Sequence, residues 1–582
     1  MSCAAVLLQN GSALLGCSSR RVTVKSCIIT TIALSMTMTT TRRRKQHTDA
    51  SRGYAEALKR LSQLKPNCSA TAMFESQQQK GKKQGSREDL NAAAIPEMRD
   101  WLLRAGYTPE GDLCRMRHIH VAGTKGKGSV CAYATALLRQ QGRRVGTYTS
   151  PHLVTPRERI AIDGEPVSRE VFTRAFFELW DRFTAAARGR GWSASDAESA
   201  ASKPFFFRYM TIMAWHIFLS QGIRDVVLEC GIGGEYDATN LLPPTAVSAA
   251  VVTQLGLDHV AMLGDTVEQI AWHKAGIFKA GRRAFTRRLE DQPGVMEVLR
   301  ARAREKGASL VEVDDADVDK WAVVGEQPSR TLLLSSTPAS FQKQNQALAA
   351  LAVWDHIKQQ KYQQDDDAAV VMHGTIVPYG EQAAMSPSLD DVPPVFHDSL
   401  QSLSLPGRQE IYQGNDQTLW FYDGAHTRES LQETARWFVS HLDPFDVAVL
   451  VFNQQERDAT ELLKCLMAEM ASALNARFPN LASPVHMFVR AIFTTNHTTF
   501  LDPEGKEWDL DVQLQLARAM RQLVPSCSVS VESNVMDAKL AAENAVAQRR
   551  GMVKVLVTGS MHLVGNMKVA LDPETLVSET MR

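Results

Sequence analysis

Hydrophobic positions along this chain fall into short blocks separated by longer helical patterns. Ile119-His-Val-Ala122 is a strand-like run, and Val130 to Gln140 behind it has helical spacing. The alternation repeats. Val145–Thr149, Asp225–Leu228 and Ala246–Val252 read as strands, while Phe205–Ser220 and Glu268–Phe278 read as helices. Upstream, Leu58, Leu61 and Leu64 share one face of a helix over Tyr54–Leu64, and another helix is expected over Ile95–Ala105, with Pro96 near its start. Such alternation predicts a parallel sheet covered on both faces, with function at the carboxyl ends of its strands. A second α/β pattern follows, with strands expected at Thr418–Tyr422, Val447–Phe452, Val485–Phe493 and Val553–Thr558. The acidic, Pro-bearing stretch 363–394 separates the two and reads as a linker with an insertion. The polar segment Glu75–Ser86 reads as a loose insertion. The expected division is a leader at 1–48, a first domain over 49–362, the linker, and a second domain over 395–582.

Composition narrows the class. The chain has 582 residues, 44% of them hydrophobic, and a formal net charge of +1, so bulk charge gives no support to nucleic-acid binding. Its nine cysteines are scattered without a Cys-x-x-Cys pair, which suggests neither a zinc site nor a disulfide framework and fits a reducing compartment. No apolar run is long enough to span a bilayer, so no stable membrane insertion is expected. Residues 1–48 stand apart. They carry Arg20, Arg21, Lys25 and Arg42-Arg-Arg-Lys45 with much Ser and Thr, and the first acid is Asp49. That pattern resembles a mitochondrial transit peptide. Met36 and Met38 offer later starts, so a cytoplasmic form is expected beside a mitochondrial one, in the matrix or on the inner membrane.

The chemistry gathers at strand ends. Gly123-Thr124-Lys125-Gly126-Lys127-Gly128-Ser129 joins a strand to a helix. Closely spaced glycines let N–H groups turn toward an anion, the helix start adds its positive dipole end, and Lys127 adds a full charge. The strict P-loop has Lys followed directly by Ser or Thr; here Gly128 intervenes. Glu229 closes the Asp225–Leu228 run. It reads as a magnesium ligand beside a triphosphate or as a solvated acid, and Gly231-Ile-Gly-Gly234 clears space next to it. Ser150 is a hydroxyl ligand or a plain turn before Pro151. His259, in Leu257-Asp-His, is a metal ligand or a hydrogen-bonded site residue. Lys274, between Trp272 and Ile277, is a surface charge or a buried reactive amine. In the second half, Asp423-Gly-Ala-His426 at a strand-to-helix turn suits a ribose or a phosphate, and Leu405-Pro-Gly-Arg408 reads as a turn with an arginine.

Further strings accompany these: Tyr148-Thr-Ser-Pro-His-Leu153 with Arg157-Glu-Arg-Ile160, Phe207-Arg-Tyr-Met-Thr211, Glu229-Cys-Gly-Ile-Gly-Gly-Glu-Tyr-Asp237-Ala-Thr-Asn240, Phe452-Asn-Gln-Gln-Glu-Arg-Asp458 and Val557-Thr-Gly-Ser560. In this order, over about residues 54 to 566, the set resembles folylpolyglutamate synthase of the Mur ligase superfamily. The resemblance implies an N-terminal P-loop ATPase-type sheet domain and a smaller C-terminal Rossmann-like α/β domain, with the active site between them. It implies ATP-dependent addition of L-glutamate to the γ-carboxyl of a reduced folate, through an acyl phosphate, by a monomer. Carried over by motif, Gly123 to Ser129 hold ATP phosphates, with Lys127 catalytic. Ser150, Glu229 and His259 hold Mg²⁺. Arg408 and Asp423 reach the nucleotide, and Asn345 and His426 make further contacts, His426 with a catalytic role. In bacterial relatives the lysine matching Lys274 is carbamylated and helps bind a second Mg²⁺; here His273 replaces the acid that usually precedes it. The family helix that opens His-Gln is here Phe341-Gln-Lys-Gln-Asn345, so that histidine's role is absent. Rival readings are a dihydrofolate synthase or other Mur-type ligase, a P-loop switch or kinase, and a catalytically dead binding protein.

Overall fold

The computed structural model describes residues 52–65, 87–324, 340–366, 387–401, 403, 405–415, 417–444, 446–455, 458–479, 488–498, 507–547 and 552–572. The leader at 1–48, the segment 75–86 and residues 367–386 of the linker lie outside them. The chain divides into two compact units, Met1–Leu58 and Lys59–Arg582. Of the first, the described residues carry the start of the Tyr54–Ser62 helix. Both sheets belong to the second.

Among the described residues the first sheet has eight strands: β1 (Arg117–Ala122), β2 (Val145–Tyr148), β3 (Ile160–Ile162), β4 (Glu165–Pro166), β5 (Asp225–Glu229), β6 (Val247–Val252), β7 (Arg283–Arg287) and β8 (Ser309–Val313), in the order β4-β3-β2-β5-β1-β6-β7-β8. The central pairings are parallel. Val121 pairs with Glu229 and Ala122 with Val252, so the strand ends carrying the glycine loop and the acid lie side by side. The edge departs from the expected parallel sheet: β2–β3 and β3–β4 are antiparallel, because the loop 149–159 and the tight turn at Asp163-Gly164 reverse the chain there.

β6 is buried throughout and apolar except for Ser248, and its two faces explain why. Ala249 and Val251 join one core cluster, and Ala250 and Val252 join another. Successive side chains of a strand point to opposite faces, and both faces here are covered by helices. The first cluster takes Val130, Tyr133, Ala134, Leu137 and Leu138 from the Lys127–Gln140 helix and Ala347 to Val353 from the Ser340–Asp366 helix. Each valine or leucine among them contributes about 1.5–3 kcal/mol when fully buried, and each alanine about 0.8 kcal/mol.

The second sheet has six described strands: β9 (Glu410–Asn415), β10 (Thr418–Asp423), β11 (Val447–Phe452), β12 (Phe488–Thr494), β13 (Ser528–Glu532) and β14 (Val553–Thr558), in the order β13-β12-β11-β14-β10-β9. Only the β9–β10 pairing is antiparallel within it. The same alternation recurs. Trp420 and Tyr422 face one cluster and Phe421 faces the other.

Several element boundaries differ from expectation. The helix expected over Ile95–Ala105 runs from Arg87 to Arg104 and carries Pro96 in its interior. Ala92, Ala93 and Ala94 are the strongest helix formers, and they carry the helix across the proline. The helix expected over Glu268–Phe278 is α-helical over Val267–Lys274 and tightens to a 3-10 turn over Ala275–Ile277. The Ser340–Asp366 helix extends past residue 362 into the stretch read as linker, and Leu389–Asp391 forms a 3-10 turn there. The strand expected over Val485–Phe493 is Phe488–Thr494, with residues 481–487 outside the described set.

Candidate active site

The glycine loop leaves β1 at Ala122 and passes into a helix at Lys127, earlier than the apolar spacing predicts. Gly126 caps that helix with φ 84, a left-handed conformation that favours glycine. A Cβ on Gly126 would also collide with the Asn345 side chain. The loop is pinned to the end of β6. Thr124 and Lys125 donate their amides to Gln254 O (2.8 and 3.2 Å), Thr124 Oγ1 donates to Gly256 O (3.0 Å), and Thr253 Oγ1 donates to Lys125 O (2.5 Å). Two lysines, Lys127 of the loop and Lys274 at the end of the Val267–Lys274 helix, converge on one carbonyl: Lys127 Nζ donates to Gly123 O at 3.0 Å and Lys274 Nζ at 2.8 Å. Lys274 is buried, not a surface charge, and burial, with Lys127 nearby, pushes its pKa down to about 7.

Glu229, the last residue of β5, is buried, and Oε2 accepts the Ser150 amide at 3.0 Å. Burial raises its pKa; Lys127, the Ser150 amide, Arg408 and Arg159 oppose that shift. The neighbouring loop is held by Asp237, whose carboxylate accepts the amides of Gly231 (3.0 Å), Ile232 (3.0 Å) and Thr239 (2.9 Å). His259 follows the end of β6 and sits in left-handed backbone with φ 50, which is uncommon for a residue with a Cβ. Its ring nitrogen Nε2 lies 3.6 Å from Asp258 Oδ2.

From the second sheet, Asp423 ends β10. Its carboxylate accepts the amides of Gln409 and Ala425, both at 2.9 Å, and burial raises its pKa against the pull of Arg408. His426 Nδ1 lies 2.9 Å from Gly424 O. Thr427 then caps the Arg428–Ser440 helix, accepting from Ser430 N. One contact ties this side to the glycine loop: Lys125 Nζ and Glu429 Oε2 are 2.7 Å apart.

These groups line one cavity of about 490 Å³. Thr124 to Ser129, Ser150, Glu229, His259, Arg408, Asp423 and His426 all face it. Gly123, Asn345 and Lys274 stand behind the loop: Gly123 O receives both lysines, and Asn345 packs on Gly126. Arg159, carried in the string Arg157-Glu-Arg-Ile160, also lines the cavity, as do Glu429, Glu433, Asn496 and His562, which no motif contains. Glu429 and His562 stand within a few residues of His426 and Ser560, the ends of two such strings; Asn496 carries no signal. The arrangement places a donor-rich cradle and several cations around two buried carboxylates, Glu229 and Asp423, which suits a polyanion.

No protein-family model matches the chain. The folylpolyglutamate synthase of Neurospora crassa is 37% identical over 508 residues, covering 83% of this chain and 86% of that protein. The Bos taurus "folylpolyglutamate synthase, mitochondrial" is 34% identical, covering 89% and 92%. Among solved structures, Mycobacterium tuberculosis folylpolyglutamate synthase complexed with ADP matches with a TM-score of 0.57 at 22% identity, over 86% of this chain and 98% of that one. E. coli FolC in complex with DHPP and ADP matches with a TM-score of 0.53 at 22% identity, over 88% and 98%. With identity above 30% sustained along most of both chains, this chain belongs to the folylpolyglutamate synthase family.

Proposed function

We propose that the cavity holds ATP by its phosphates on residues 123–129 and directs the γ-phosphoryl group to the γ-carboxylate of a reduced folate. The activity itself follows from the family: the chain is an ATP-dependent ligase of folate and glutamate. The observation that carries the assignment of the site is that Lys127, Glu229, Arg408 and Asp423, drawn from two sheets, line one cavity.

A carboxylate accepts an amine poorly because hydroxide is a bad leaving group. The folate γ-carboxylate oxygen attacks the γ-phosphorus, ADP leaves, and an acyl phosphate results. The neutral amine of L-glutamate then attacks the acyl carbon, and inorganic phosphate leaves with its oxygen. Lys127 and the amides of Gly126, Gly128 and Ser129 offset the negative charge that builds between carboxylate and triphosphate. Thr124 and Lys125 extend that cradle, Asn345 holds Gly126 in place, and Lys274 braces Gly123. Arg408 and Asp423 hold the nucleotide from the second sheet, and His426 orients the substrates at the turn after β10. Approach of the two sheets excludes water that would hydrolyse the acyl phosphate.

The donor set fits magnesium in part. Glu229 supplies carboxylate oxygens, and the Ser150 amide bond brings the Ser150 hydroxyl to the same strand ends. Among the described residues no three His, Cys, Asp or Glu side chains form a metal cluster. Glu229, Ser150 and His259 therefore form an open protein half, as a hard ion that keeps phosphate and water ligands requires. When bound, the ion offsets charge on the triphosphate. Burial disfavours the ionised form of Glu229, and a cation beside it reverses that preference.

The first sheet would belong to an ATP-binding domain over 49–362 and the second to a ligase domain over 395–582, in a monomer. The basic leader and the mitochondrial name of the bovine relative support a mitochondrial form beside a cytoplasmic one. Among the described residues no helix is long and apolar enough to cross a membrane. The test is incubation with tetrahydrofolate, ATP, Mg²⁺ and labelled L-glutamate, with products sized by mass spectrometry. Glutamate-dependent ADP release with stepwise mass gain is expected. ADP release without glutamate, or turnover with dihydropteroate in place of tetrahydrofolate, would replace this reading.

A further inference from the structure

Arg159 lines the cavity on the Ser150 side, and like Arg408 in the same cavity it stands apart from the paired inward arginines. Arg143 pairs with Asp225, Arg283 with Asp355 and Arg302 with Glu235. Arg159 has no such acid: among the described residues no carboxylate lies within ion-pair distance of it. Its Nε instead donates to His152 Nδ1 at 2.9 Å, and its guanidinium carbon lies 5.1 Å from the centre of the Phe206 ring. A guanidinium N–H can only donate, so His152 Nδ1 is the acceptor, and the bond aims Arg159 without pairing it to an acid. Glu229 and Glu158 act on this largely desolvated guanidinium only from beyond ion-pair distance; holding it so is costly, and an anion bound in contact with it lowers that cost.

Three kinds of anion enter the proposed reaction. The triphosphate has the glycine loop. The incoming glutamate is small and wholly polar. The folate acceptor alone carries an aromatic amide next to its carboxylates, and Phe207 lines the same cavity as Arg159. Glu229 feels Lys127 most, then Arg408, then Arg159, so the three cations surround one carboxylate. An acceptor anchored on Arg159 thus lies near the phosphate end held by Lys127.

We propose that Arg159, aimed by His152, binds the α-carboxylate of the terminal glutamate on the folate acceptor and leaves the γ-carboxylate free to attack. This rests on the ligase reading above. The test compares tetrahydrofolate with an analogue ending in 4-aminobutyrate, which keeps the reacting carboxylate and lacks the α-carboxylate. For the wild type, kcat/KM should fall by about 10–100-fold on passing to the analogue, the scale of one charge-assisted pair. In Arg159→Met the two acceptors should differ by less than about 3-fold, with the loss in acceptor KM and the KM for ATP unchanged. Arg159→Lys should restore part of the discrimination, because it keeps a charge without the fork. It also supplies the test if the Met variant is poorly folded, which a raised KM for ATP would reveal. Undiminished discrimination in either variant overturns the proposal. If the wild type turns over neither acceptor, the ligase reading itself fails.

Discussion

Strand β5 carries a carboxylate at each end, and the two have opposite fates. Asp225, at its start, belongs to a sealed chain of hydrogen bonds: Ser248 Oγ lies 2.6 Å from His356 Nδ1, His356 Nε2 lies 3.0 Å from Asp225 Oδ1, and Arg143 lies 3.1 Å from Asp225 Oδ2. The sequence of groups is that of a hydrolase triad, yet Ser248 and His356 are wholly buried and no substrate reaches them. Glu229, at the other end, accepts a hydrogen bond only from the Ser150 amide among the described residues, and it faces the cavity. The better-formed constellation is structural and the looser one is placed to act. Access at the carboxyl end of a parallel strand decides function here, not the quality of the hydrogen bonds.

Breaking each cluster should therefore move different measurements. Glu229→Gln should lower turnover by at least about 10²-fold, the scale for losing one preorganised charged group, and abolish the rise of rate with Mg²⁺. Its thermal midpoint should hold, since a buried charge is removed. An unchanged magnesium titration would count against the role of Glu229. His356→Ala should do the reverse. Ser248 and Asp225 each lose a buried partner, at about 1–3 kcal/mol apiece, so stability should fall by at least about 2 kcal/mol in urea unfolding. The folded fraction should keep its KM values. A variant as stable as wild type, but slow, would make the sealed cluster part of the chemistry.

Lys274 is an intermediate case, buried like the triad but bonded to the loop of the cavity. Its folded pKa of about 7 lies below its ordinary 10.5. Between those values the unfolded chain holds the proton and the folded chain does not. The group's contribution to stability therefore rises with pH across that window, and its full penalty applies below it. Urea unfolding at pH 7.5 and pH 9 should show wild type gaining relative to Lys274→Met. A relative loss would mean that Lys274 is held charged.

The sequence made one end of this picture readable and hid the other. The glycine loop, Glu229 and Asp423 announce themselves because strand-to-helix turns concentrate Gly, Lys and acids within a few residues. The Ser248–His356–Asp225 cluster gives no such signal, since its members lie 108 and 131 residues apart and meet only through packing. Lys274 was ambiguous for a related reason. Its helix has Ile270 and Ala271 buried beside it, but whether a lysine joins that face depends on a carbonyl, Gly123 O, supplied from another part of the chain. The antiparallel edge β2–β3–β4 was likewise invisible, because very short strands leave no alternation to read.

The smallest expected effect concerns the contact between the two sides of the cavity. Lys125 belongs to the phosphate cradle, but its ammonium is engaged by Glu429, which also accepts a bond from Thr427 Oγ1 at 3.1 Å. A bound triphosphate would compete with Glu429 for the same cation. The carboxylate is substantially exposed, so the pair is worth about 0.2–1 kcal/mol. Glu429→Gln should therefore lower the KM for ATP, by no more than about five-fold. Rising ionic strength should bring the wild type toward the variant, because salt screens an exposed pair. A raised KM in Glu429→Gln would reverse the interpretation: the pair would then hold the cavity closed around the nucleotide, and Glu429 would join Glu229 as an acid that the site requires.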